Sequence, residues 1–193
     1  VLAPLPGPVD AVLAFTAHHV VAAAVDPALV AARLPSGDLS APMGADFLAW
    51  LGRQLGSRPG SLDVVLAADG LGGPPPLALR PGADPVRHPR AARAARYRRD
   101  LEVWTDPDGA GMLVCGRGLA GRRELAFEVD PEARGRGLGR LLALAGRHLT
   151  PRGEPLFAQV APGNAASLRA VEAAGFRPIG AEVLFHRDGA DPS

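Results

Sequence analysis

The sequence predicts a single α/β domain, and three observations support this fold class. Runs in which apolar residues alternate, such as residues 125–130, indicate β-strands. Runs of helix-forming residues that end at a glycine or a proline, such as 138–149 and 165–174, indicate α-helices. At 193 residues the chain can bury one substantial core. We therefore interpret residues 1–193 as one domain.

The first half of the chain also contains recognisable elements. Two helices are predicted, over residues 15–34 with a break at Asp26-Pro27, and over residues 47–55 with an end at Gly56. Four strands are predicted, over residues 62–68, 77–80, 97–105 and 112–116. The last two strands flank the turn sequence Asp106-Pro107-Asp108-Gly109, which favours a hairpin between them.

The most informative segment is the glycine-rich turn from Arg134 to Arg140, which lies between a predicted strand and a predicted helix. Its three glycines remove the side chains that would keep an anion away from the backbone. The backbone N–H groups of such a turn and the positive end of the following helix dipole favour the same anion. The arginines at 134, 136 and 140 add positive charge. The segment therefore predicts a site for the phosphates of a cofactor.

Two other phosphate-binding motifs do not fit. A P-loop requires a lysine, and the chain contains none. Residues 116–121 match Gly-x-Gly-x-x-Gly, but a dinucleotide-binding fold needs a helix after this motif. The alternation over residues 125–129 predicts a strand there instead. We interpret residues 116–121 as the connection of a β-hairpin.

A second segment completes the pattern. After a predicted strand over residues 155–160, Asn164 is suited to cap a helix, and Gly175-Phe176 is suited to end it. Together the two segments resemble the GCN5-related N-acetyltransferase (GNAT) superfamily. The acetyl-CoA loop of that superfamily reads Arg/Gln-x-x-Gly-x-Gly/Ala, and its later helix opens on Asn and closes on Gly-Phe. The matching residues are Arg134, Gly137, Gly139, Asn164, Gly175 and Phe176. The resemblance is specific from about residue 127 to residue 176.

The resemblance implies a fold and a cofactor site. The fold is a mixed, largely antiparallel sheet with helices on both faces, splayed at the acyl-CoA site. Residues 97–187 would form the acetyl-CoA-binding core, and residues 1–96 the first strands with acceptor-side helices and loops. The implied acetyl-CoA-binding residues are Phe127, Glu128 and Val129 on the strand, Arg134, Gly135, Arg136, Gly137, Leu138, Gly139 and Arg140 in the loop, and Asn164 and Ser167 on the later helix.

The implied reaction is acetyl-CoA-dependent N-acetylation, in which the amine of a small molecule or a peptide attacks the thioester directly. Members of the superfamily often have a Tyr that acts as the general acid at the position of Val171. Some have a Glu that acts as the general base at the position of Gln159. Tyr97, the single tyrosine, can replace the acid only if folding brings it close.

Two glutamates remain as candidates for the general base that deprotonates the amine. Glu124 and Glu128 lie on the strand before the loop and alternate with its apolar residues, so both face away from them. Glu128 is nearer the implied thioester and is the preferred candidate. The alternative is that these glutamates only pair with arginines such as Arg122 or Arg99 on a solvated face.

Two further functions stay open. One is a CoA-binding sensor or partner module with little catalysis, which the residues at 159 and 171 favour. The other is an RNA-binding protein that uses the arginines at 87, 90, 93, 96, 98 and 99. The same arginine cluster is equally suited to an acidic acceptor or to the 3′-phosphate of CoA. A formal net charge of +1 argues against strong binding to nucleic acid or to a membrane surface.

Composition predicts the cellular setting. The single cysteine, Cys115, excludes a disulfide framework, fits a reducing cytoplasm, and is predicted to be an inert core residue. Residues 11–25 are apolar but lack a basic preceding region, so they do not predict a signal peptide. No run reaches the roughly 20 apolar residues that a membrane span needs. The absence of lysine suggests a GC-rich bacterial genome. The five histidines show no metal-ligand spacing. The resemblance also allows a homodimer, which is frequent in the superfamily.

Overall fold

A computed structural model of the protein describes residues 1–5, 8–82 and 88–186. The strands in these ranges are β1 (Val9–Phe15), β2 (His18–Ala22), β3 (Pro59–Asp69), β4 (Arg80–Pro81), β5 (Arg99–Thr105), β6 (Gly111–Arg117), β7 (Arg123–Val129), β8 (Pro155–Val160) and β9 (Arg177–His186). The helices are α1 (Pro27–Arg33), α2 (Ala45–Leu55), α3 (Pro89–Ala95), α4 (Leu138–Leu149) and α5 (Ala165–Ala173). Among these described helices, none combines the length and the apolar character needed to cross a membrane.

All nine strands join one sheet in the order β2-β1-β9-β3-β8-β7-β6-β5-β4. Within the described residues, β7 and β8 run parallel and every other neighbouring pair runs antiparallel. This confirms the predicted mixed, largely antiparallel sheet. Because β3 lies between β8 and β9, the first half of the chain contributes a strand to the middle of the sheet.

Helices cover both faces of the sheet, as predicted. α4 and α5 pack on one face through a core that includes Leu142 and Val171. α1 and α2 cover the other end of that face, around Leu51. α3 packs on the opposite face, where Ala91 contacts Val114. The centre of this opposite face is left for the polar residues described below.

The elements predicted in the second half of the chain are confirmed. α4 begins at Leu138 and ends at Leu149, and β8 spans Pro155–Val160. Asn164 caps α5, since its side chain accepts a hydrogen bond from the Ser167 N–H at 3.1 Å. β6 and β7 pair directly across residues 116–121, so this glycine motif connects a hairpin, as predicted.

Three predictions for the first half were wrong. Residues 15–34 are not one helix, because β1 and β2 form a hairpin that turns at Ala17 (φ +63°) before α1 begins. The predicted strand over residues 77–80 is reduced to the two-residue β4, since Leu77 and Leu79 instead pack against the core. Helix α3 was missed within the arginine cluster. For residues 15–34, the pairing of β1 with β9 overrides the local preference for a helix.

Candidate functional site

The parallel strands β7 and β8 diverge, and this divergence creates the candidate site. They pair only from Arg123 opposite Leu156 to Leu125 opposite Ala158. Beyond that point β7 stays with β6, whereas β8 continues alongside β3. The gap opens into a cleft of about 560 Å³ between the end of β7, the glycine-rich loop and the first turns of α4 and α5. The predicted splay is therefore confirmed.

The glycine-rich loop has the backbone geometry of an anion site. Gly135 (φ +77°) and Gly137 (φ +83°) adopt the left-handed conformation that glycine favours. The first hydrogen bond of α4 runs from the Leu141 N–H to the Gly137 carbonyl at 3.1 Å. The N–H groups of residues 138–140 therefore have no acceptor within the helix. They are available to an anion at the end of the cleft.

Two contacts hold this loop against the sheet. Arg134 Nε donates to the Val129 carbonyl at 3.0 Å, so Arg134 ties the loop to the end of β7. At Gly139, an added Cβ would lie 3.2 Å from the Phe127 ring and 3.6 Å from the Ala170 Cβ. A larger residue would force the Phe127 ring to shift slightly, because α4, α5 and β7 approach one another closely at this position.

The structure brings nearly all of the predicted acetyl-CoA-binding residues together. The cleft is lined by Phe127, Glu128, Val129, Arg134, Gly135, Gly137, Leu138, Gly139, Arg140, Asn164 and Ser167. Arg136 is the exception, since it lies in the loop but does not line the cleft. The binding role of all these residues remains a prediction.

A second pocket of about 450 Å³ adjoins the cleft. The two share Arg90, Phe127, Asn164 and Ser167 in their walls. The second pocket lies on the sheet face that α3 partly covers, and polar side chains from the sheet line it. These side chains include Asp63 from β3, Glu124 from β7, Gln159 from β8, and Glu182 and His186 from β9.

Glu124 is buried in this second pocket and its carboxylate is fully engaged. It accepts hydrogen bonds from Arg98 Nε and Arg122 Nε, both at 2.7 Å, and from the Leu119 N–H at 3.2 Å. Burial acts to raise the pKa of Glu124, but the guanidinium groups of Arg98 and Arg122 outweigh it and keep this pKa below its ordinary value. The predicted pairing with Arg122 is confirmed. The predicted solvated face is wrong, because only 6% of the Glu124 side chain is exposed.

Arg122 joins a second buried carboxylate to the first. Its Nη2 donates to both carboxylate oxygens of Glu182 at 2.8 Å, and its guanidinium stacks over the Phe157 ring at 5.3 Å. Burial raises the pKa of Glu182 above its ordinary value, and the neighbouring negative charges of Glu124 and Asp63 add to this rise. Arg122 is thus the cation that allows two carboxylates to be buried side by side.

Glu128 lies in a different environment from Glu124. Arg90 Nε donates to Glu128 Oε2 at 2.9 Å, and about 40% of each side chain is exposed. Since Arg90 lines both the cleft and the second pocket, the Glu128 carboxylate lies near their junction. The arginine that pairs with Glu128 is Arg90, not Arg122 or Arg99.

Three residues about which the sequence left questions lie in the second pocket. Gln159 accepts a hydrogen bond from Arg98 Nη2 at 3.1 Å, and Val171 lines the same pocket but is fully buried. Tyr97 is brought to the pocket as well, with its ring 4.7 Å from the His186 ring. Tyr97 therefore lines the second pocket, but it does not line the cleft.

The sequence did not point to Asp63, Glu182 or His186. Asp63 and Glu182 are direct partners in the register of β3 and β9, although 119 positions separate them along the chain (182 minus 63). The only local signal was the alternation of Glu182, Leu184 and His186 along one strand face. That alternation does not reveal which strand lies beside β9.

Cys115 is expected to be chemically inert. It is fully buried in the core beneath α4, and burial raises the pKa of its thiol to about 12. Since the thiolate is the reactive form, iodoacetamide at mildly alkaline pH should label the unfolded protein but not the folded one. Mass spectrometry measures this, with Cys115→Ala as the matched variant. Rapid labelling of the folded protein would contradict the core assignment.

The second half of the chain, which contains the glycine-rich loop and α5, is similar to known proteins. Residues 125–185 match the family described as FR47-like protein. Over these residues, the match confirms the predicted resemblance to the GNAT superfamily.

The curated relatives are longer proteins. The chain is 35% identical over 121 residues to a mycothiol acetyltransferase of Acidothermus cellulolyticus, which covers 48% of the chain and 37% of that protein. It is 37% identical over 109 residues to the mycothiol acetyltransferase of Thermobispora bispora, over 47% of the chain and 37% of the relative. The matched regions thus span little more than a third of these relatives. A solved GNAT-family acetyltransferase from Colwellia psychrerythraea superposes with a TM-score of 0.49 at 12% identity, over 89% of this chain and 76% of that one.

Proposed function

We propose that this chain transfers the acetyl group of acetyl-CoA to an amine of a small molecule or a peptide. One observation carries the proposal: a cleft with an anion-binding loop at one end opens at its other end into a separate polar pocket. This arrangement offers one chamber to a phosphorylated acyl donor and another to an acceptor. Their junction, beside Phe127 and Asn164, is where acyl transfer would occur.

The residues of the cleft fit the parts of acetyl-CoA. The free N–H groups of residues 138–140, together with Arg140, suit the pyrophosphate. The edge of β7 that faces the gap offers backbone groups to the amide-bearing pantetheine arm. Asn164 and Ser167 form the opposite wall. The lack of a Cβ at Gly139 keeps α4 close enough to β7 to complete the cleft.

In the proposed reaction, the nitrogen of a neutral amine attacks the thioester carbonyl carbon. A backbone N–H near the end of the β7–β8 pairing would stabilise the oxyanion that forms. The C–S bond then breaks, the CoA thiolate leaves, and the proton lost by the amine passes to a general base. Glu128 is the proposed base, because it lies near the junction and about 40% of its side chain is exposed.

The absence of a tyrosine at position 171 does not prevent this chemistry. A model thiol has a pKa of about 8.5, so a thiolate leaves without the strong acid that an alkoxide would need. Tyr97 reaches the acceptor pocket from a different part of the chain and is available to protonate the thiolate.

Two parts of the earlier interpretation stay proposals. Residues 1–96 supply much of the acceptor side, and the chain acts in a bacterial cytoplasm.

Acetyl-CoA binding is the first test of the proposal. Calorimetry should detect micromolar binding by the wild type and none by Gly137→Glu, which places a carboxylate where the pyrophosphate would lie. Gly137→Asn is the matched control, since Asn tolerates a positive φ and adds no charge. It should keep most of the affinity. No binding by a folded wild type would overturn the proposed function.

Turnover separates an enzyme from a CoA-binding module. A library of amines is screened for release of free CoA thiol, and it includes the acceptor that mycothiol acetyltransferases use. Release that depends on one class of amine would support catalysis. Tight acetyl-CoA binding without release from any amine would favour the sensor or partner module. The RNA-binding alternative loses support, because Arg90 and Arg98 are engaged in ion pairs.

A further inference from the structure

Six charged groups in and around the acceptor pocket are already paired with one another. Glu124 and Glu182 are held by Arg122, and Glu124 is also held by Arg98. The carboxylate oxygens of these two glutamates are therefore occupied. Arg90, at the mouth of the pocket, is paired with Glu128. These residues shape the pocket but leave little charge for an acceptor to contact.

Asp63 is the pocket carboxylate that retains open positions. It accepts a long hydrogen bond of 3.5 Å from the Ser61 hydroxyl, and it forms no ion pair within 4 Å among the described residues. It is half-buried at the pocket wall, and burial raises its pKa above the ordinary value. Since β3 pairs with β8, Asp63 lies one residue from Val64, which faces Val160 near the splay. Asp63 lines the same pocket as Phe127 and Asn164, the residues beside the junction.

Arg93 is the corresponding open cation. It projects from α3, is exposed at the pocket rim, and forms no hydrogen bond or ion pair with the described residues. Its charge acts on both Asp63 and His186 across the pocket. The buried Nδ1 of His186 has no hydrogen-bond partner, so the wall between these charges carries an unsatisfied polar atom. A polar ligand is needed to satisfy all three groups together.

We infer that the acceptor is an amine that also carries an anionic group, either a carboxylate or a phosphate. Asp63 receives its ammonium end, and Arg93 receives its anion. The inference rests on the proposed function, because it names the substrate class of the same site. It also assigns a role to Arg93, one arginine of the cluster that the sequence left unexplained. Arg87 of that cluster lies outside the described residues.

Matched pairs of amines test this inference. Phenylalanine is compared with phenethylamine, and phosphoethanolamine with ethanolamine, so that each pair differs by one anionic group and the two anions are distinguished. Binding is measured by calorimetry, with and without saturating CoA, and turnover by thiol release. The anionic member of at least one pair should bind about 10- to 100-fold more tightly, which is the typical value of a hydrogen bond to a charged group.

Variants identify the residues responsible. Arg93→Gln should remove the preference for the anionic amine and leave the neutral amine unchanged, whereas Arg93→Lys should keep part of it. Asp63→Asn should weaken the binding of both amines in each pair. Arg53→Gln, an exposed arginine on α2 remote from the pocket, is the control and should change nothing. Circular dichroism and acetyl-CoA affinity confirm that each variant is folded.

Each outcome decides the question. Equal binding of both members of every pair, binding of neither, or an unchanged preference in Arg93→Gln would overturn the inference. If acetyl-CoA still binds in those cases, the proposed function survives and only the acceptor class is wrong. If acetyl-CoA does not bind, the proposed function fails. Amine binding measured without CoA then reports on the pocket by itself.

Discussion

Replacing Arg122 by methionine is expected to lower the free energy of unfolding by about 3–5 kcal/mol, the usual effect of removing one partner from a buried ion pair. Arg122 is 12% exposed and holds two buried carboxylates, those of Glu124 and Glu182. Methionine keeps much of the side-chain volume but leaves both carboxylates without this cation. Denaturation by urea, followed by circular dichroism, measures the loss.

The loss should depend on pH in a definite direction. The folded-state pKa of Glu124 is lowered, so it stabilises the wild type above the ordinary value of 4.5 and loses this effect as the pH falls. The pKa of Glu182 is raised, so its stabilising effect is present below 4.5 and is lost as the pH rises. Without Arg122 the pKa values of both glutamates rise. Arg122→Met should therefore be most destabilised near neutral pH, and its deficit should shrink as the pH falls towards 4.5.

Arg90→Met is the matched control, because it breaks an ion pair of which about 40% is exposed. Exposed pairs contribute about 0–1 kcal/mol, so this variant should remain close to the wild type in stability. Equal effects of the two substitutions would show that the Arg122 network is hydrated in solution. A deficit of Arg122→Met that grows towards acidic pH would contradict the assigned pKa directions.

The second half of the fold was predictable because its signals are local. The positive φ angles of Gly135 and Gly137, the cap of Asn164 and the end at Gly175 are each determined by residues within one or two helical turns. Such interactions depend little on the rest of the chain. The cleft lies between these local features, so the sequence predicted most of its lining.

The acceptor pocket was not predictable because it depends on strand pairing. Asp63 and Glu182 become neighbours only after β3 inserts between β8 and β9. Likewise, Arg98 follows α3, which packs over β5 and β6, and reaches Glu124 on β7 only in the folded chain. No local pattern encodes such contacts, since the same alternating residues are compatible with several strand orders. The sequence therefore identified Glu124 and Glu128 as candidates but not their different environments.

Glu128→Gln is expected to lower kcat by about 10²–10⁴, the usual contribution of a positioned general base, with little change in acetyl-CoA affinity. The amide keeps the size of the side chain and a hydrogen-bond acceptor for Arg90, but it cannot take a proton from the amine. Because the Arg90–Glu128 pair is exposed, stability should change by less than about 1 kcal/mol. Thiol release gives kcat, and calorimetry gives the affinity.

Glu124→Gln provides the comparison that separates a base from a buried structural group. Both oxygens of Glu124 are already occupied by Arg98, Arg122 and the Leu119 N–H, so it has no free position for an amine proton. Its substitution should reduce stability, whereas Glu128→Gln should reduce turnover alone. If Glu128→Gln keeps full turnover and Asp63→Asn loses it, the proton passes to the carboxylate that receives the ammonium, and Glu128 only positions Arg90. The kcat values of Glu128→Gln and Asp63→Asn therefore decide which carboxylate deprotonates the amine.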